Sequence, residues 1–513
     1  MSIFTGADIK NDLEIECDVC VVGSGAGGAH VAARLAEAGK RVVVLEEGSH
    51  NTSEKFNMNE ADMYPLLYQD GGNRATADLS IAILQGRTVG GTTVVNWTTS
   101  FRTPEHVVEW WNEHHGVNIN YDDLVPHWER VEARLGIERV ELGFANRNNR
   151  VLWDGAQKLG WEASMLRRNV RECANTGYCG TGCPVDAKQS MLITLVPEAV
   201  SYGADVYANV KVETIKSGAS RKITEIRGIV RDPETDKPTS KRVTVRPKLA
   251  VLSGGGINNP MIFFRSGIGN SNGRVGKRTF LHPACGTVAY FDEKVDPYYG
   301  APQSVSSHQF ARREGKMGFF LEAAPLQPML GSTAIPGFGN PHTGYMERLP
   351  YANALVMIGI DGFDTSDFDE GGVVSMKKDG GIQVDYKWTP RLEESFREGI
   401  RACANLQLAA GATEVLSMHN DPVVMRSEAD LAKLDKASYA KLRHKVFCAH
   451  VMGGCAMGGD PKTSVVDSSL RHHEFDNLFV VDGSVYPTSL GVNPQLSIYG
   501  LSSWASETIK SAV

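Results

Sequence analysis

The first hydrophobic pattern in the chain is that of a strand, a helix and a second strand. Residues 18–22 form a short apolar run, which is typical of a buried parallel strand. Residues 30–38 follow with the spacing of a helix, and Gly39 is a typical helix end. Residues 41–45 are a second apolar run. The pattern therefore predicts a βαβ unit near the N-terminus.

Later segments extend this picture to a mixed α/β fold. Between residues 290 and 390, strand-like runs are broken by Gly and Pro, and this predicts an antiparallel sheet. The remaining elements that the pattern predicts are strands at 206–215, 248–253, 317–321, 384–388 and 478–481, and helices at 153–161, 393–408 and 495–510.

A glycine-rich turn joins the first predicted strand to the first helix. Gly23, Gly25 and Gly28 have the spacing of a dinucleotide fingerprint, and Glu46 follows the second strand. The first glycine allows a tight turn, the second lets main-chain N–H groups approach a pyrophosphate, and the third lets helix and strand pack closely. An acid in the place of Glu46 can bind a ribose hydroxyl, which fits NAD or FAD and disfavours NADP.

Composition and charge limit the function classes. The chain has 513 residues and a formal net charge of −7, with no dense basic block, so we expect no nucleic-acid binding. Its length predicts more than one domain. The N-terminal residues are polar, no apolar stretch reaches about 20 residues, and nine cysteines are unremarkable. We expect a cytoplasmic protein without a transmembrane segment, and peripheral membrane contact is left open.

Further motifs make the resemblance to one family specific. The chain resembles the glucose–methanol–choline (GMC) oxidoreductases, nearest to the cholesterol oxidase and long-chain alcohol oxidase branch. Residues 86–96 resemble the family segment that lines the flavin, and residues 254–260 with 266–269 resemble its second signature. Residues 450–454, and 482–484 with 491–494, resemble its C-terminal catalytic segments. The resemblance implies that the dinucleotide is FAD.

The resemblance also implies a set of cofactor-binding residues. Some family members bind FAD covalently through a His before the flavin-side Asn96, but Val95 stands there, so we expect non-covalent FAD. Asp482 is implied to hold the ribityl chain. The expected cofactor contacts are Gly23, Gly25, Gly28, Glu46, Glu47, Arg87, Gly90, Gly91, Thr92, Asn96, Val212, Gly254, Asp482, Gly483, Asn493 and Pro494.

Three residues are expected at the reacting centre. Oxidation of an alcohol by a flavin moves a hydride to the ring N5 and needs a base for the hydroxyl proton. His450 resembles the family histidine that faces N5 and is the expected base. Asn493 precedes Pro494, which predicts that Asn493 caps the last helix. The resemblance implies that the positive end of this helix points at the flavin. Glu322 resembles the active-site glutamate of cholesterol oxidases. The pair His282–Pro283 resembles a family loop near the flavin, and no chemistry is assigned to it.

A cysteine cluster leaves three interpretations open. Cys173, Cys179 and Cys183 could ligate an iron–sulfur cluster, could bind zinc although a fourth ligand is not evident, or could be buried or redox-active thiols in a glycine-rich loop. The surrounding segment resembles the long-chain alcohol oxidase branch, and the cysteines do not decide between these interpretations.

Together the motifs predict a Rossmann-like FAD-binding domain built from discontinuous segments and a substrate domain with an antiparallel sheet. The expected boundaries are 13–110, 190–285 and 446–513 for the first domain, and 111–189 and 286–445 for the second. The expected reaction oxidises a small-molecule alcohol, bulky or hydrophobic, with oxygen or an unknown electron acceptor. The alternatives are a dehydrogenase that passes electrons through an iron–sulfur cluster to a cytochrome or quinone, and a non-redox lyase of the hydroxynitrile lyase kind.

Overall fold

The computed structural model describes residues 2–218 and 220–513. Its strands lie mostly in two large sheets. In chain order they are β1 Ile3–Phe4, β2 Leu13–Val22, β3 Val42–Leu45, β4 Ala82–Ile83, β5 Ile137–Arg139, β6 Ser164–Met165, β7 Arg167–Asn169, β8 Asp205–Tyr207, β9 Val210–Ser217, β10 Ile223–Arg231, β11 Pro238–Leu252, β12 Phe280–Leu281, β13 Ala284–Tyr290, β14 Val305–Ser307, β15 Gly318–Ala323, β16 Ala352–Ile360, β17 Gly372–Met376, β18 Ile382–Tyr386, β19 Glu414–Ser417, β20 Val424–Met425, β21 Phe447–Cys448, β22 Val451–Met452 and β23 Leu478–Val480.

The α-helices are amphipathic or buried segments that cover these sheets. They are α1 Ala26–Glu37, α2 Glu60–Leu67, α3 Glu105–His115, α4 Tyr121–Leu135, α5 Arg147–Leu159, α6 Leu195–Ser201, α7 Gly255–Ser266, α8 Pro328–Ala334, α9 Asn340–Glu347, α10 Pro390–Ala410 and α11 Gln495–Ala512. In the part of the chain that the structure describes, none of them is both long and apolar enough to span a bilayer.

The first sheet is mainly parallel. Its order is β1-β8-β3-β2-β11-β10-β9, and β23 pairs with the end of β11. Strands β1, β8, β3, β2, β11 and β23 run parallel to their neighbours in this series, whereas β10 and β9 add an antiparallel edge. Helix α1 packs against β2, β3 and α11. This is the expected Rossmann-like arrangement, with strands of nearly continuous apolar sequence because both faces are covered.

The second sheet is antiparallel along its main path, in the order β20-β19-β13-β16-β15-β14-β6. Helices α5 and α10 pack on one of its faces. On β15, Phe319, Leu321 and Ala323 join the apolar cluster under these helices, and the alternating positions Phe320 and Glu322 point to the other face. The predicted mixed α/β fold with an antiparallel sheet is confirmed.

Two local predictions differ from the structure. Residues 206–215 do not form one strand, because Asn209 has a left-handed φ of +61° and separates β8 from β9. The last helix begins at Gln495 with Pro494 as its capping residue, so Asn493 lies one position before the cap. The prediction that Asn493 itself caps this helix is therefore wrong.

Candidate active site

The carboxyl ends of four parallel strands meet at one edge of the first sheet. The register pairs Val22 with Leu45 and with Leu252, and Leu252 with Val480. The residues that follow these ends therefore lie side by side, which is where ligands bind in open α/β sheets. The glycine-rich turn, Glu46, Ser253 and Asp482 all leave the sheet at this edge.

The glycine-rich turn has the shape that a pyrophosphate requires. Gly25 is the capping residue of α1, and a Cβ on it would contact only the Cα of Gly91, at 3.8 Å. The space beside Gly25 therefore belongs to the cavity. Gly28, in contrast, packs tightly, because a Cβ there would stand 1.9 Å from the carbonyl oxygen of Gly23. Gly23 itself has a φ of +97°, which favours glycine.

Two acids end β3. The Glu46 carboxylate accepts hydrogen bonds from the Ser24 N–H at 2.9 Å and from the Gly48 N–H at 2.8 Å, and burial raises its pKa. Glu47 forms an ion pair with Lys211 at 3.0 Å. Burial opposes ionisation of Glu47, but the charge and hydrogen bond of Lys211 together with the charges of Arg87 and Arg231 outweigh burial and lower the pKa of this carboxyl.

Asp482 follows β23 and is held by main-chain and side-chain donors. Its carboxylate accepts from the Gly255 N–H at 2.7 Å, from the Asn259 amide at 2.9 Å and from the Ser484 N–H at 2.8 Å. Burial raises its pKa in spite of these bonds. The bonds fix the side chain at the start of α7, where it borders the cavity.

These elements enclose a cavity of about 290 Å³. Its wall includes His450, Asn493 and Glu322 together with most of the expected cofactor contacts. Those contacts are Gly23, Gly25, Glu46, Glu47, Gly91, Thr92, Asn96, Val212, Gly254, Asp482, Gly483 and Pro494. The other expected contacts, Gly28, Arg87 and Gly90, are not part of the wall. Arg87 pairs with Asp236 at 2.6 Å, and a Cβ on Gly90 would meet the Leu192 nitrogen at 2.8 Å.

Glu322 lies at the centre of a buried polar cluster. Its Oε2 accepts hydrogen bonds from Gln303 Nε2 at 2.6 Å and from Asn493 Nδ2 at 3.2 Å. The residue is fully buried on β15, opposite Val356 on β16. Burial raises the pKa of Glu322 to about 8, and the two hydrogen bonds only partly offset that effect.

Two oxygens of this cluster lack a partner. Among the described residues, neither Oε1 of Glu322 nor Oδ1 of Asn493 accepts or donates a hydrogen bond, although both atoms are buried. A buried polar atom without a partner costs roughly 1–3 kcal/mol. Both residues border the cavity, so a hydroxyl or ring N–H bound there would satisfy them.

His450 stands just before β22 and pairs with a second histidine. Its Nδ1 lies 3.0 Å from Nδ1 of His282, and the Gly491 N–H donates to His282 Nε2 at 3.3 Å. Burial lowers the pKa of His450 to about 4. Burial and the neighbouring His450 lower the pKa of His282 well below its usual range. Both rings border the cavity.

Two further residues of the cavity wall have no role predicted from the sequence: His282, which bonds to His450, and Gln303, which bonds to Glu322. The likeness of residues 282–283 to a family loop was a usable signal for His282. No comparable signal marks Gln303, which lies two residues before β14, the strand that pairs with β15.

The side chain of Asn96 is already engaged. Its Nδ2 donates to Gln495 Oε1 at 2.6 Å, and Gln495 in turn donates to the Thr99 carbonyl at 2.8 Å. Asn96 still borders the cavity, but its amide nitrogen ties the flavin-side segment to the start of α11. That Asn96 also contacts the cofactor stays a prediction.

The cysteine cluster lies outside the cavity wall. Cys179 is buried, with its Sγ 3.8 Å from a guanidinium nitrogen of Arg168, and Cys173 and Cys183 are half-buried. Within residues 2–218 and 220–513, no group of three or more His, Cys, Asp or Glu side chains is arranged to hold a metal ion. The iron–sulfur and zinc interpretations therefore gain no support.

The residues of the cavity fit a flavin dinucleotide. An open space beside Gly25 at a helix N-terminus suits a pyrophosphate, and the acid Glu46 at the end of β3 suits a ribose. The unpaired Glu322 and Asn493 oxygens lie in the same wall, where a ring and a substrate would bring polar atoms.

Comparison with known proteins agrees with this site. Family models for GMC oxidoreductases match residues 64–284 and 373–502, and a model for an NAD(P)-binding Rossmann-like domain matches residues 21–70. An uncharacterized GMC-type oxidoreductase of Mycobacterium tuberculosis is 33% identical over 94% of this chain and 74% of its own length. A long-chain-alcohol oxidase of Arabidopsis thaliana is 31% identical over 96% of this chain and 67% of its own length.

Solved structures with low identity share the fold. Pyridoxine 4-oxidase from Mesorbium loti superposes with a TM-score of 0.69 at 19% identity, over 96% of this chain and 99% of that chain. A formate oxidase of Aspergillus oryzae, studied for FAD modification, superposes with a TM-score of 0.72 at 16% identity, over 98% and 99%.

The two family models span most of the chain, and the relatives match it nearly end to end. With the cavity at the carboxyl edge of a Rossmann-like sheet, the protein belongs to the GMC oxidoreductase family and is an FAD-dependent oxidoreductase.

Proposed function

We propose that this protein oxidises a bulky or hydrophobic alcohol to an aldehyde or ketone. The observation that carries the proposal is the polar part of the cavity wall, which includes His450 and two buried oxygens, Glu322 Oε1 and Asn493 Oδ1, that have no partner among the described residues. A substrate hydroxyl is a donor and an acceptor at once, so it can satisfy this cluster.

FAD supplies a ring that takes up the hydride from the carbinol carbon. The glycine-rich turn, Glu46 and Asp482 would hold its dinucleotide part without a covalent bond, because Val95 cannot form one. The chain's own residues then have to hold the alcohol, exclude water and remove the hydroxyl proton.

The cavity wall contains two groups that can exchange a proton with the substrate hydroxyl. His450 is the base expected from the sequence, and its low pKa keeps it neutral at pH 7. Glu322 is the other, and its Oε1 is open to a hydroxyl. Asn493 adds a fixed amide, since its Nδ2 is already held by Glu322.

The wall around the polar cluster is apolar, which supports a hydrophobic substrate. Strands β13 and β16 contribute Ala284, Val356 and Ile358, and Phe447 and Trp97 lie in the same wall. Burial of each CH₂ group of an alkyl chain there would add about 0.8 kcal/mol of binding. The similarity to a long-chain-alcohol oxidase supports the same substrate class.

An anaerobic absorbance titration of the FAD-loaded protein tests this proposal. We expect one member of a panel of long-chain, aromatic and sterol alcohols to bleach the flavin bands, and air added afterwards shows whether oxygen is the acceptor. His450→Ala should keep the flavin spectrum but lose about 10²–10⁴-fold in reduction rate, whereas the exposed-site variant His114→Ala should reduce normally.

If no alcohol bleaches the flavin while dithionite does, the proposal is wrong and the non-redox lyase becomes the better account. Broad absorbance beyond the flavin bands with stoichiometric iron would instead favour the dehydrogenase with an iron–sulfur cluster.

A further inference from the structure

His282 is a buried member of the cavity wall to which no motif gives a chemical role. It lies between β12 and β13, and its ring meets the edges of two others, Phe320 at 5.8 Å and His450 at 5.2 Å between centroids, with interplanar angles of 81° and 82°. Its position is therefore fixed by packing, and both of its nitrogens have partners.

The direction of these hydrogen bonds follows from simple chemistry. A main-chain N–H can only donate, so the contact from Gly491 makes His282 Nε2 an acceptor. A neutral imidazole has one donor nitrogen and one acceptor nitrogen, and so His282 Nδ1 carries the hydrogen. Burial lowers the pKa of both histidines, which keeps both rings neutral near pH 7.

The same rule then fixes His450. Its Nδ1 lies 3.0 Å from the N–H of His282, so it accepts, and its Nε2 must carry the hydrogen. Within the described residues Nε2 has no protein partner, and it is the nitrogen left for the substrate. Gly491, which begins this chain of bonds, lies two residues before Asn493, so one loop positions both groups.

We propose that His282 is a positioning residue that locks His450 into the tautomer that donates from Nε2. This rests on the proposed alcohol oxidation. The alcohol oxygen accepts from His450, the O–H proton passes to the Glu322 carboxylate, and the carbinol hydrogen leaves with its electron pair to reduce FAD. One alcohol and one FAD thus give one carbonyl product and reduced FAD.

Two substitutions of similar size at position 282 should preserve or reverse the hydrogen-bond direction that sets the tautomer of His450. In His282→Asn, Nδ2 stands at the bond position of the histidine Nδ1 and donates to His450 as before. In His282→Asp, a carboxylate can only accept, so it should draw the hydrogen of His450 onto Nδ1 and leave Nε2 bare. The wrong tautomer at a catalytic histidine is costly, so we expect His282→Asp to lose on the order of 10²-fold or more in flavin reduction rate. His282→Asn should stay within about 10-fold.

The deciding readout is the ¹⁵N NMR spectrum of the FAD-loaded protein labelled at histidine, with the His450 signals assigned by their loss in His450→Gln. We expect Nε2 protonated and Nδ1 unprotonated in the wild type and in His282→Asn, and the reverse in His282→Asp. This arm needs no substrate, so it stays decisive if alcohol oxidation itself fails.

A wild-type spectrum with Nε2 unprotonated would overturn the inference. So would a His282→Asp protein that reduces its flavin at the wild-type rate. If His282→Asp does not fold, the wild-type and His282→Asn spectra still decide the tautomer. If no alcohol reduces the wild type, the proposed function fails while the tautomer is still measured.

Discussion

At the scale of single residues, burial shifts the pKa values of two groups in the cavity wall in opposite directions. It raises the pKa of Glu322 to about 8 and lowers that of His450 to about 4, because in each case it disfavours the charged form. At pH 7 both groups are therefore mostly neutral. Because His450 donates from Nε2 in the proposed mechanism, Glu322 is the residue that must ionise before it can accept the hydroxyl proton.

This assignment predicts a pH profile. The carboxylate fraction of Glu322 falls about tenfold per pH unit below its pKa, so the rate of flavin reduction should rise with pH and level off above about 8. Glu322→Gln should remove this limb and lower the rate about 10²–10⁴-fold. Anaerobic stopped-flow measurements between pH 6 and 9 would check it, and a flat wild-type profile would contradict it.

The residues of the site differ in how far the sequence predicts them. His450, Asn493 and Glu322 stand in family motifs, and the fold brings them to one cavity wall. The contacts of Gln303 and His282 depend on strand pairing and on a loop 209 residues away from His282, and neither leaves a local pattern. The capping position differs by one residue from the prediction, Pro494 instead of Asn493, and a local pattern does not define a helix end to one residue.

At the scale of elements, we propose that the turn between β2 and α1 binds the pyrophosphate of the cofactor. A side chain at Gly25 would extend into the space that the cavity needs for a pyrophosphate, since a Cβ there meets no atom closer than 3.8 Å. Gly25→Val should therefore fold and yet lose FAD.

The measurement is the FAD content per chain after purification, together with the circular dichroism spectrum. Gly143→Val is a matched control, because Gly143 is exposed and a Cβ there meets nothing within 4 Å. If the Gly25→Val protein retained stoichiometric FAD, the proposal that the pyrophosphate binds at this turn would be contradicted.

Strands and helices with a strong apolar period could be predicted from the sequence, whereas breaks within a predicted strand could not. Strands β2, β3 and β23 and helices α10 and α11 lie where the pattern places them, within a few residues. The break between β8 and β9 arises because β8 pairs with β3 while β9 pairs with β10, and pairing partners are not visible in a local pattern. We propose that the domain boundaries are those expected from the sequence, with the two large sheets as their centres.

At the scale of the whole molecule, buried histidines couple stability to pH. His444 is packed against Phe396 and Tyr439, and neither ring nitrogen has a hydrogen-bond partner among the described residues. Burial and the nearby His419 lower its pKa to about 3, whereas the unfolded chain binds a proton near pH 6.5. The unfolded state thus binds more protons below about pH 6.5, and stability is lost as the pH falls from there towards 3.

His444→Phe should weaken this dependence. Each such histidine contributes a slope of about 1.4 kcal/mol per pH unit between the two pKa values. We expect the unfolding midpoint in urea to fall less steeply from pH 6.5 to 4.5 in His444→Phe than in the wild type, and His114→Phe, at an exposed position, to behave as the wild type does. Equal slopes in all three proteins would show that His444 is not buried in the neutral form.

Five ordered motifs predicted the family and the two-sheet architecture, because glycine turns and strand ends have fixed requirements. The substrate was predictable only as a class. Its cavity is lined by side chains from β13, β16 and separate loops, and their joint shape depends on how the two sheets face each other.

The most direct test of the account follows a single turnover without oxygen. An alcohol that bleaches the flavin is compared with the same alcohol carrying deuterium at the carbinol carbon, with the bleaching rate and the carbonyl product measured together. If the carbinol hydrogen leaves as a hydride to reduce FAD, the deuterated alcohol should bleach the flavin more slowly, with one carbonyl product per reduced FAD. Consumption of the alcohol with an unbleached flavin, or bleaching without a carbonyl product, would contradict it.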